Sequence, residues 1–389
     1  MKILLINHFP LTGSGSGVYT YNIAKSLAKA GNEVCIIFPE NELVNPDNLI
    51  KYHPVYFNGI NDGLPFNFPC FTTHPRSTKT FYDLTEEEFL LYKDVFIKAI
   101  EEEIKVFQPD IIHSGHIWTL SNIAGNYDIP LIITAHGTDL IGFEKSERYK
   151  KECYEAYKRA KKIITISQDN KNLVDSIFGN EKSVLIPNGY DPEMFYPENI
   201  DKKLFLKQFG INKNYKNIIS FAGKFTKEKG IDTLLKAAKI YENEDILTII
   251  AGNGELFEQM NNLKNELDIK NVIFIKNQPH NVLRQLYNIA NVSIVPSRKE
   301  AFGLVVIEAL ACGTPVIGTN TGGIKDIIND KVGKLIQIDD DEELANNVLK
   351  ILNNNTFDSN YISEYAAKFY SQDQFTIELI NLYKRYINK

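Results

Sequence analysis

The sequence predicts an α/β fold built from two doubly wound parallel sheets, and three observations lead to this prediction. Short runs rich in Val, Ile and Leu alternate with helical stretches along nearly the whole chain of 389 residues. The runs are apolar at almost every position, which is typical of strands buried on both faces of a parallel sheet. A turn-rich segment then divides the runs into two sets, which indicates two Rossmann-like domains.

The predicted strands are distributed evenly over the two halves of the chain. In the first half the runs are 2–7, 34–38, 110–114, 131–136, 162–167 and 183–189. In the second half they are 217–223, 246–252, 271–276, 292–297, 315–319 and 334–338. The clearest helical stretches between them are 19–30, 86–106, 229–241, 254–266 and 303–311. Strand–helix–strand units of this kind give right-handed crossovers and parallel sheets.

A linker is predicted in the sequence IPNGYDPEMFYP, because its Pro, Asn-Gly and Asp-Pro steps favour turns. We therefore place an N-terminal domain at residues 1–190 and a C-terminal domain at residues 191–369. A final helix at about 373–387, within a tail at about 370–389, carries an aromatic and aliphatic stripe. That stripe needs a partner surface.

Residues 41–82 interrupt the alternation of strands and helices. The segment contains five prolines, several asparagines and many aromatic residues. An irregular loop of this length is either functional or disordered, and its aromatic content argues against disorder. Two interpretations stay open, a packed surface excursion and a lid that binds a substrate.

Composition and charge exclude several classes of protein. The net charge of −6 argues against a nucleic-acid partner and against a polybasic membrane patch. Cys35, Cys70, Cys153 and Cys312 are far apart and form no C-x-x-C, so neither a disulfide framework nor a zinc site is indicated. The chain shows no signal-peptide pattern and no apolar run near the roughly 20 residues that span a bilayer. We expect a reduced, cytoplasmic protein without a transmembrane segment.

A glycine-rich loop follows the first predicted strand, with three glycines spaced two apart in Gly13–Gly17. The dinucleotide fingerprint G-x-G-x-x-G would need its third glycine at Val18 or Thr20, so both registers fail. A Walker loop is excluded because no G-K-[ST] follows. Glu40 lies where a ribose-binding acid would stand, which keeps NAD binding open. Otherwise the loop is a turn without a ligand, or the start of a helix near Gly17 that attracts an anion.

Two cations follow the first strand of the second half, in FAGKFTKEKG at 221–230. Ligands of open α/β sheets bind beyond the carboxyl ends of the strands. Lys224 and Lys229 would stand at that edge, where they could neutralise a diphosphate. As isolated residues they would be ordinary surface lysines.

The strongest signal is PSRKEAFGLVVIEALACGTPV at 296–316. A helix that begins near Gly303 offers free N–H groups to a phosphate, and the glycine allows close approach. Glu308 lies in a helix that is apolar nearly all round, so its carboxylate needs partners. Vicinal ribose hydroxyls would suit Glu308, and sugar hydroxyls would suit Glu300. The plainer interpretation makes Glu300 a helix-dipole partner and Glu308 a surface residue.

The acids Glu300 and Glu308 with FGLV between them, followed by G-T-P-V and by N-T-G-G at 320–323, closely resemble the signature of retaining family-4 glycosyltransferases with the GT-B fold. The resemblance covers nearly the whole chain and extends to GKFTKEKG, to AGNGE at 251–255, to IPNGYDPEMF at 186–195, to HGTD at 136–139 and to the glycine loop. It implies transfer of a sugar from a nucleotide diphosphate sugar, most often a UDP-sugar, to an acceptor hydroxyl. Cell-surface glycans, glycolipids or small-molecule glycosides would be the products.

The same resemblance places the donor mostly on the C-terminal domain. It implies that Glu308 binds the ribose hydroxyls and that Glu300 holds hydroxyls of the transferred sugar. The backbone N–H groups of Phe302, Gly303 and Leu304 would contact sugar and phosphate. The N-terminal domain would bind the acceptor, and the final helix would pack on that domain.

Further donor contacts are implied around the diphosphate and the base. Lys229 would neutralise the diphosphate together with Lys224, which stands where the family usually has an arginine and gives a point charge without a bidentate fork. Gly223 ends the preceding strand, and the base would lie against the 275–279 segment that contains Asn277.

Residues of the N-terminal domain are implied in both donor and acceptor binding. Gly15 and Gly17 would approach the phosphate or sugar of the donor. His136 would contact the donor sugar, and its carbonyl would help to stabilise positive charge at the anomeric carbon. The alternative for His136 is a satisfied core histidine. Candidate acceptor-binding residues are Arg76, His116 and Asp139.

No metal ion and no other cofactor is expected. The acidic run 339–341 contains D-x-D, the metal signature of a different glycosyltransferase fold, but it precedes a helical stretch and is better interpreted as helix-start acid. His113 and His116 are spaced H-x-x-H without an evident third ligand. Lys224, Lys229 and the helix N-terminus would supply positive charge instead.

The hypothesised mechanism retains the anomeric configuration. The diphosphate would leave on the face that the acceptor hydroxyl attacks and would take the acceptor's proton, so no protein nucleophile is needed. Two alternatives from other classes remain, a Rossmann-type NAD-dependent oxidoreductase and a catalytically inactive sugar-nucleotide-binding protein. Peripheral membrane contact stays open, and the sequence predicts no oligomeric state.

Overall fold

The computed structural model describes residues 1–45, 47–72, 74–242, 244–354 and 357–387. The last two residues of the predicted tail at 370–389, and residues 46 and 73 of the irregular segment, therefore lie outside the described residues. The chain folds into two compact units, unit 1, Met1–Ile186 with Thr376–Lys389, and unit 2, Pro187–Phe375. The division falls four residues before the predicted boundary at 190/191.

Each unit is built on one parallel sheet. Within the described residues, unit 1 has seven strands, β1 (Lys2–Ile6), β2 (Glu33–Glu40), β3 (Lys51–Tyr56), β4 (Ile111–Gly115), β5 (Leu131–Ala135), β6 (Lys162–Thr165) and β7 (Ser183–Leu185). Their order in the sheet is β3-β2-β1-β4-β5-β6-β7. The described part of unit 2 has six strands, β8 (Asn217–Ala222), β9 (Ile246–Ala251), β10 (Val272–Ile275), β11 (Val292–Val295), β12 (Val316–Thr319) and β13 (Gly333–Ile336). Their order is β10-β9-β8-β11-β12-β13. The predicted α/β class is therefore confirmed.

Helices connect the strands and cover the sheets. In the first part of the chain they are α1 (Gly15–Lys29), α2 (Glu86–Val106), α3 (Thr119–Ala124), α4 (Thr138–Phe143), α5 (Glu147–Arg159) and α6 (Gln168–Phe178). They continue with α7 (Lys202–Gln208), α8 (Ile231–Ile240), α9 (Phe257–Glu266), α10 (His280–Ile289), α11 (Leu304–Ala311), α12 (Ile324–Ile327), α13 (Asp341–Asn354), α14 (Ser359–Tyr370) and α15 (Gln372–Ile387). Among the helices of the described residues, none combines the length and apolar character that crossing a bilayer requires.

Local capping chemistry determines where two of these helices begin. Thr85 and Glu88 form a capping box at the start of α2, in which each side chain accepts a hydrogen bond from the other residue's backbone N–H, at 3.1 and 3.0 Å. At α1 the hydroxyl of Ser14 accepts from the N–H of Gly17 at 3.1 Å. Helix α1 therefore begins at Gly15, two residues before the predicted start near Gly17.

The segment 41–82 is less irregular than its composition predicted. It contains β3, which pairs in parallel with β2 at the edge of the sheet. Pro54 lies within this strand, and an edge strand tolerates proline because one side of its backbone has no ladder to join. Phe57, Phe68 and Phe81 of the same segment are buried in the core of unit 1. These contacts favour the packed excursion over a mobile lid.

A series of buried hydrogen bonds joins helix α15 to the core of unit 1. The hydroxyl of Tyr383 lies 2.5 Å from His113 Nδ1 on β4, and His113 Nε2 lies 2.7 Å from Thr134 Oγ1 on β5. Thr134 in turn lies 3.4 Å from the hydroxyl of Tyr19 on α1. Burial lowers the pKa of His113 to about 3, so the imidazole is neutral and needs these partners.

The chain passes from one unit to the other twice, and the two passages are joined on the side of unit 2. The N–H of Tyr190 donates to the carbonyl of Tyr370, and the N–H of Gln372 donates to the carbonyl of Tyr190, both at 2.8 Å. A Cβ on Gly189 would lie 2.6 Å from the α-carbon of Gln372. Only glycine therefore allows the two segments to pair so closely.

Replacing Tyr383 by phenylalanine should lower the free energy of unfolding by about 1–3 kcal/mol, because His113 Nδ1 then stays buried without a partner. Urea denaturation measures this change. The control is Tyr386→Phe, which makes the same chemical change at a half-buried position on the same helix. Equal losses in the two variants would contradict a specific role for the Tyr383–His113 contact.

Candidate active site

An ion pair joins two loops at the carboxyl edge of the unit 2 sheet. Lys229 follows β8 through a 3-10 turn, Lys227–Lys229, and Glu300 lies in the loop after β11. Lys229 Nζ donates to Glu300 Oε2 at 2.6 Å, and the hydroxyl of Ser297 donates to the same oxygen at 3.3 Å. The two side chains are 26% and 15% exposed. Since the pair is only partly shielded from solvent, a ligand can still reach it.

Free backbone donors continue from Glu300 into helix α11. Among the described residues, no acceptor is found for the backbone N–H groups from Ala301 to Val305. Gly303 has φ +106°, which turns the chain into the helix. Consecutive free N–H groups at a helix N-terminus attract an anion through their partial charges and through the helix dipole.

A glycine pair shapes the loop that carries Glu300. Gly322 has φ +49°, and a Cβ there would lie 1.7 Å from the carbonyl oxygen of Glu300. A Cβ on the neighbouring Gly323 would lie 2.3 Å from the carbonyl oxygen of Phe302. The N-T-G-G sequence therefore lets one backbone lie directly on another, and this packing fixes the path of the loop.

Glu308 lies inside α11 beside the core of unit 2. Burial raises the pKa of its carboxyl to about 7, and the hydroxyl of Tyr287 on α10 acts in the opposite direction. The carboxylate form therefore lacks the solvation that water would provide. Hydroxyl donors from a ligand would stabilise that form.

The other candidate residues of unit 2 lie at the same sheet edge but are not joined to Glu300. Lys224 and Asn277 are exposed, and within the described ranges neither makes an ion pair or a side-chain hydrogen bond. The N–H of Gly223 donates to the carbonyl of Ala251 at 3.0 Å. A Cβ on Gly252 would lie 1.9 Å from the carbonyl oxygen of Gly223, so this pair packs two loops together.

The acidic run 339–341 divides into different roles. The side chain of Asp340 accepts from the N–H of Glu343 at 2.7 Å, and Asp341 is the first residue of α13, as expected for helix-start acid. Asp339 does not follow this prediction, because its carboxylate binds Arg298 at 2.7 Å and Thr233 at 3.1 Å. Among the described residues, no three His, Cys, Asp or Glu side chains are grouped so that they could hold a metal ion.

In unit 1 the three glycines of the opening loop have different surroundings. A Cβ on Gly17 would lie 2.0 Å from the carbonyl oxygen of Pro10, so glycine is required there for packing. Gly13 has φ +84° and lies against the ring of His74. A Cβ on Gly15 would meet nothing within 4 Å. Of the three, only Gly15 has no packing or conformational reason to be glycine.

His136 follows β5 and belongs to a group of neutral histidines. Burial lowers its pKa to about 4. Its Nε2 is buried and, within the described part of the chain, forms no hydrogen bond. The ring of Tyr19 packs edge-on against it at 4.8 Å, and the ring of His116 lies at 4.7 Å. His136 can thus offer a neutral hydrogen-bonding atom but no charge.

Arg76, a candidate for acceptor binding, is already engaged. Its guanidinium pairs with Glu40 at 2.6 and 3.3 Å and with Glu42 at 3.2 Å. The positive charge is therefore compensated, which argues against a free site for an anionic acceptor. Glu40 also accepts from the N–H groups of Asn41 and Glu42, so it is not a free ribose-binding acid.

Asp139 and His116, the two other acceptor candidates, are buried. The carboxylate of Asp139 accepts from the N–H groups of Ile117 and Gly137, both at 2.8 Å, and so ties the loops after β4 and β5 together. This gives Asp139 a structural role, and its contact with an acceptor stays a prediction. His116 has φ +70° and is fully buried, and both ring nitrogens lack a partner among the described residues. His113 points to Tyr383 instead, so the H-x-x-H pair is split.

Sequence reasoning missed several neighbours of these residues. Ser297 donates to Glu300, and the hydroxyl of Tyr287 acts on the pKa of Glu308. Arg298 binds Asp232, which lies close in sequence to Lys229. Ser297 and its partner Glu300 both stand inside the quoted block 296–316, so the block held that signal, whereas the partners of Arg298 lie outside it. Tyr287 lies on α10, where only the three-dimensional structure brings it near Glu308.

Two family models cover most of the chain. The model described as Glycosyltransferase Family 4 matches residues 13–194, and the model described as Glycosyl transferases group 1 matches residues 201–369. The chain belongs to glycosyltransferase family 4. This glycosyltransferase is therefore an enzyme of the predicted class, and the alternative of an NAD-dependent oxidoreductase is wrong.

Known proteins that resemble the glycosyltransferase span its full length. An uncharacterized glycosyltransferase of Methanocaldococcus jannaschii is 27% identical over 418 residues, which cover 99% of this chain and 98% of that protein. N-acetyl-alpha-D-glucosaminyl L-malate synthase of Bacillus anthracis is 25% identical over 381 residues, 96% of this chain and 93% of that protein. The solved structure of Anabaena HepE with UDP and glucose matches with a TM-score of 0.72 and 17% identity, covering 99% of each chain. The structural match confirms the GT-B fold.

Gly322→Ala should destabilise the glycosyltransferase more than Gly210→Ala does. Both glycines have a positive φ, but a Cβ on Gly210 meets nothing within 4 Å. We expect a cost of about 1–2 kcal/mol for the backbone in both variants. The clash with Glu300 should add about 1–3 kcal/mol in Gly322→Ala alone. Urea denaturation gives both values, and equal losses would mean that the loop of Glu300 is not held by this contact.

Proposed function

We propose that this glycosyltransferase transfers a sugar from a UDP-sugar to an acceptor hydroxyl, with retention of the anomeric configuration and without a divalent metal ion. The observation that carries the proposal is the grouping in unit 2 of the Lys229–Glu300 pair with the free N–H groups of Ala301–Val305. Sugar hydroxyls and a diphosphate are the ligands that such a mixture of acid, ammonium and amide donors suits. The products would be glycosides of cell-surface glycans, glycolipids or small molecules.

The positive charge that a leaving diphosphate needs is available from the protein. Lys229 supplies an ammonium group, and the N-terminus of α11 supplies aligned N–H donors. Such groups stabilise charge that develops in the transition state because they are oriented before the reaction begins. Lys224 lies exposed at the same sheet edge and would add a second ammonium group.

Glu300 is proposed to orient the transferred sugar. Its Oε2 is held by Lys229 and Ser297, while Oε1 accepts no hydrogen bond among the described residues. A hydroxyl of the sugar can donate to Oε1 without breaking the ion pair. With Oε2 engaged in this way, Glu300 suits a positioning contact, and we propose that the departing diphosphate takes the acceptor's proton on the face of attack.

The choice of a UDP-sugar is supported by relatives in the family. Anabaena HepE, a protein of the same fold, has been solved in complex with UDP and glucose. The relative from Bacillus anthracis is an N-acetyl-alpha-D-glucosaminyl L-malate synthase, a name that describes an N-acetylglucosaminyl product. Glucose and N-acetylglucosamine are therefore the donor sugars to test first. The roles of Gly15, Gly17, His136 and Asn277 in donor binding remain predictions.

A ligand panel tests the donor and the metal independence together. The Tm of the protein is measured with UDP-, GDP- and ADP-glucose and with UDP-N-acetylglucosamine. The increase in Tm should be largest for a UDP-sugar. Donor hydrolysis, followed by NMR of the released sugar, should persist in EDTA and should give first the anomer of the donor. Loss of turnover in EDTA with recovery on Mg²⁺, or inversion of the anomer, would overturn the proposal. Donor binding without turnover would favour an inactive binding protein.

Glu300→Gln should lower kcat by about 100-fold or more while the donor KM changes only a few-fold, since the carboxylate acts mainly on the transition state. The control is Glu198→Gln, because Glu198 also pairs with a cation in unit 2, Arg284, at 2.9 Å. That variant should keep kcat. Wild-type turnover in Glu300→Gln would remove Glu300 from the site.

Affinity for UDP-glucose should rise by about tenfold between pH 6 and pH 8, because only the carboxylate form of Glu308 accepts both ribose hydroxyls. The pKa of free Glu308 is raised to about 7, and binding must lower it, so the complex forms with release of a proton. Calorimetry in two buffers of different ionisation enthalpy measures both effects. Glu308→Gln should bind more weakly at pH 8 and show neither the pH dependence nor the proton release. An unchanged profile in that variant would contradict the assignment.

A further inference from the structure

Arg298 lies two residues before Glu300 and reaches the segment that carries Lys229. Its Nη1 and Nη2 donate to the two carboxylate oxygens of Asp232, at 3.0 and 2.6 Å. Asp232 is the second residue of α8, which begins directly after the Lys229 segment. A bidentate pair of this kind fixes orientation as well as distance.

Arg298 also holds the backbone of the Lys229 segment directly. Its Nη1 donates to the carbonyl of Lys227 at 2.7 Å, and its own backbone N–H donates to the carbonyl of Glu228 at 2.7 Å. Two of the three residues of the 3-10 turn are therefore bonded to Arg298. The next residue in the turn is Lys229, whose ammonium group contacts Glu300.

A third contact attaches this arrangement to the loop after β13, the last strand in the order of the sheet. Asp339, which has φ +62° after β13, binds Arg298 Nη2 at 2.7 Å and accepts from the hydroxyl of Thr233 at 3.1 Å. Neither helix capping nor a metal site explains Asp339, the first acid of the run 339–341. Its contact with Arg298 does. Asp339 completes the set of hydrogen-bond acceptors around the Arg298 guanidinium.

We propose that Arg298 is a positioning residue for the diphosphate site, which keeps the 227–229 turn in the conformation that brings Lys229 to Glu300. The expected effect of Arg298 on turnover rests on the proposed function. The contacts of Arg298 do not rest on it, because they all lie within unit 2. Asp232 and Asp339 act with Arg298 and touch neither Lys229 nor Glu300 in the described contacts.

Only arginine can make this set of contacts. The guanidinium donates to a bidentate carboxylate, a carbonyl and a second carboxylate at once, whereas a lysine ammonium is a point charge that cannot present a planar fork. The contacts are also unequal. Asp232 is 31% exposed and bidentate, and Asp339 is 51% exposed and held at one oxygen. Water screens the second pair more strongly, so Asp232→Asn should have the larger effect.

The test compares Arg298→Gln with Arg284→Gln. Arg284 is the matched control because it also pairs with an acid and a backbone carbonyl in unit 2, Glu198 at 2.9 Å and Met194 at 3.2 Å. Using UDP-glucose as the donor, Arg298→Gln should lower kcat/KM by about 10- to 100-fold, the range expected when a supporting contact of a site is removed. Arg284→Gln should change it less than about threefold at a similar loss of Tm.

A double-mutant cycle separates positioning from general damage. In Lys229→Ala, adding Arg298→Gln should cost less than about threefold, because residues that act through one another are not additive. Additive losses would overturn the inference. Hydrogen exchange supplies a readout without substrate, since the amides of 223–230 should exchange faster in Arg298→Gln and those of α9 should not.

These readouts distinguish two kinds of failure. If wild-type protein neither binds nor hydrolyses any UDP-sugar, the proposed donor is wrong, whereas faster exchange at 223–230 in Arg298→Gln would still support the positioning role. If the wild type is active and Arg298→Gln matches Arg284→Gln in kcat/KM and in exchange, the positioning role is overturned and the proposed function stands.

Discussion

The contact between the ammonium of Lys229 and the carboxylate of Glu300 is the interaction on which the candidate site depends. The two residues come from loops 71 positions apart, and they meet because both loops leave the carboxyl edge of one parallel sheet. Around the contact, backbone groups, the short side chain of Ser297 and the guanidinium of Arg298 support the two loops. Glycines 322 and 323 let the backbone lie against the loop of Glu300, and Ser297 holds the carboxylate from behind. The course of the backbone therefore shapes the site more than the packing of large side chains does.

The sequence predicted the architecture well because buried parallel strands are apolar throughout and leave an unambiguous pattern. It missed β3, where Pro54 and alternating polar residues conceal an edge strand. It placed the start of α1 too late because Ser14 caps that helix through a contact that no periodicity reveals. Glu300 and Lys229 were recognisable from their motif. Tyr287 and Arg298 were not, since their contacts join elements distant in sequence.

The two units differ in the charge of the side chains at the carboxyl edge of their sheets. In unit 2, cations and acids meet at the sheet edge and stay partly exposed. In unit 1, the equivalent edge carries His8, His116 and His136, whose pKa values burial lowers far enough to keep the rings neutral at physiological pH. Arg76, the predicted acceptor-binding cation of that unit, is paired with two acids. A diphosphate would thus find its counter-charges in unit 2.

The position of α15 has a consequence for how the polypeptide is made. Unit 2 is continuous in the chain, whereas unit 1 is completed by residues that follow unit 2. A ribosome therefore makes these residues after unit 2. Until then, His113 in the nascent unit 1 lacks the hydroxyl group that Tyr383 later supplies. Unit 2, in contrast, can already fold during translation. Packing of α15 onto unit 1 would therefore follow the synthesis of unit 2.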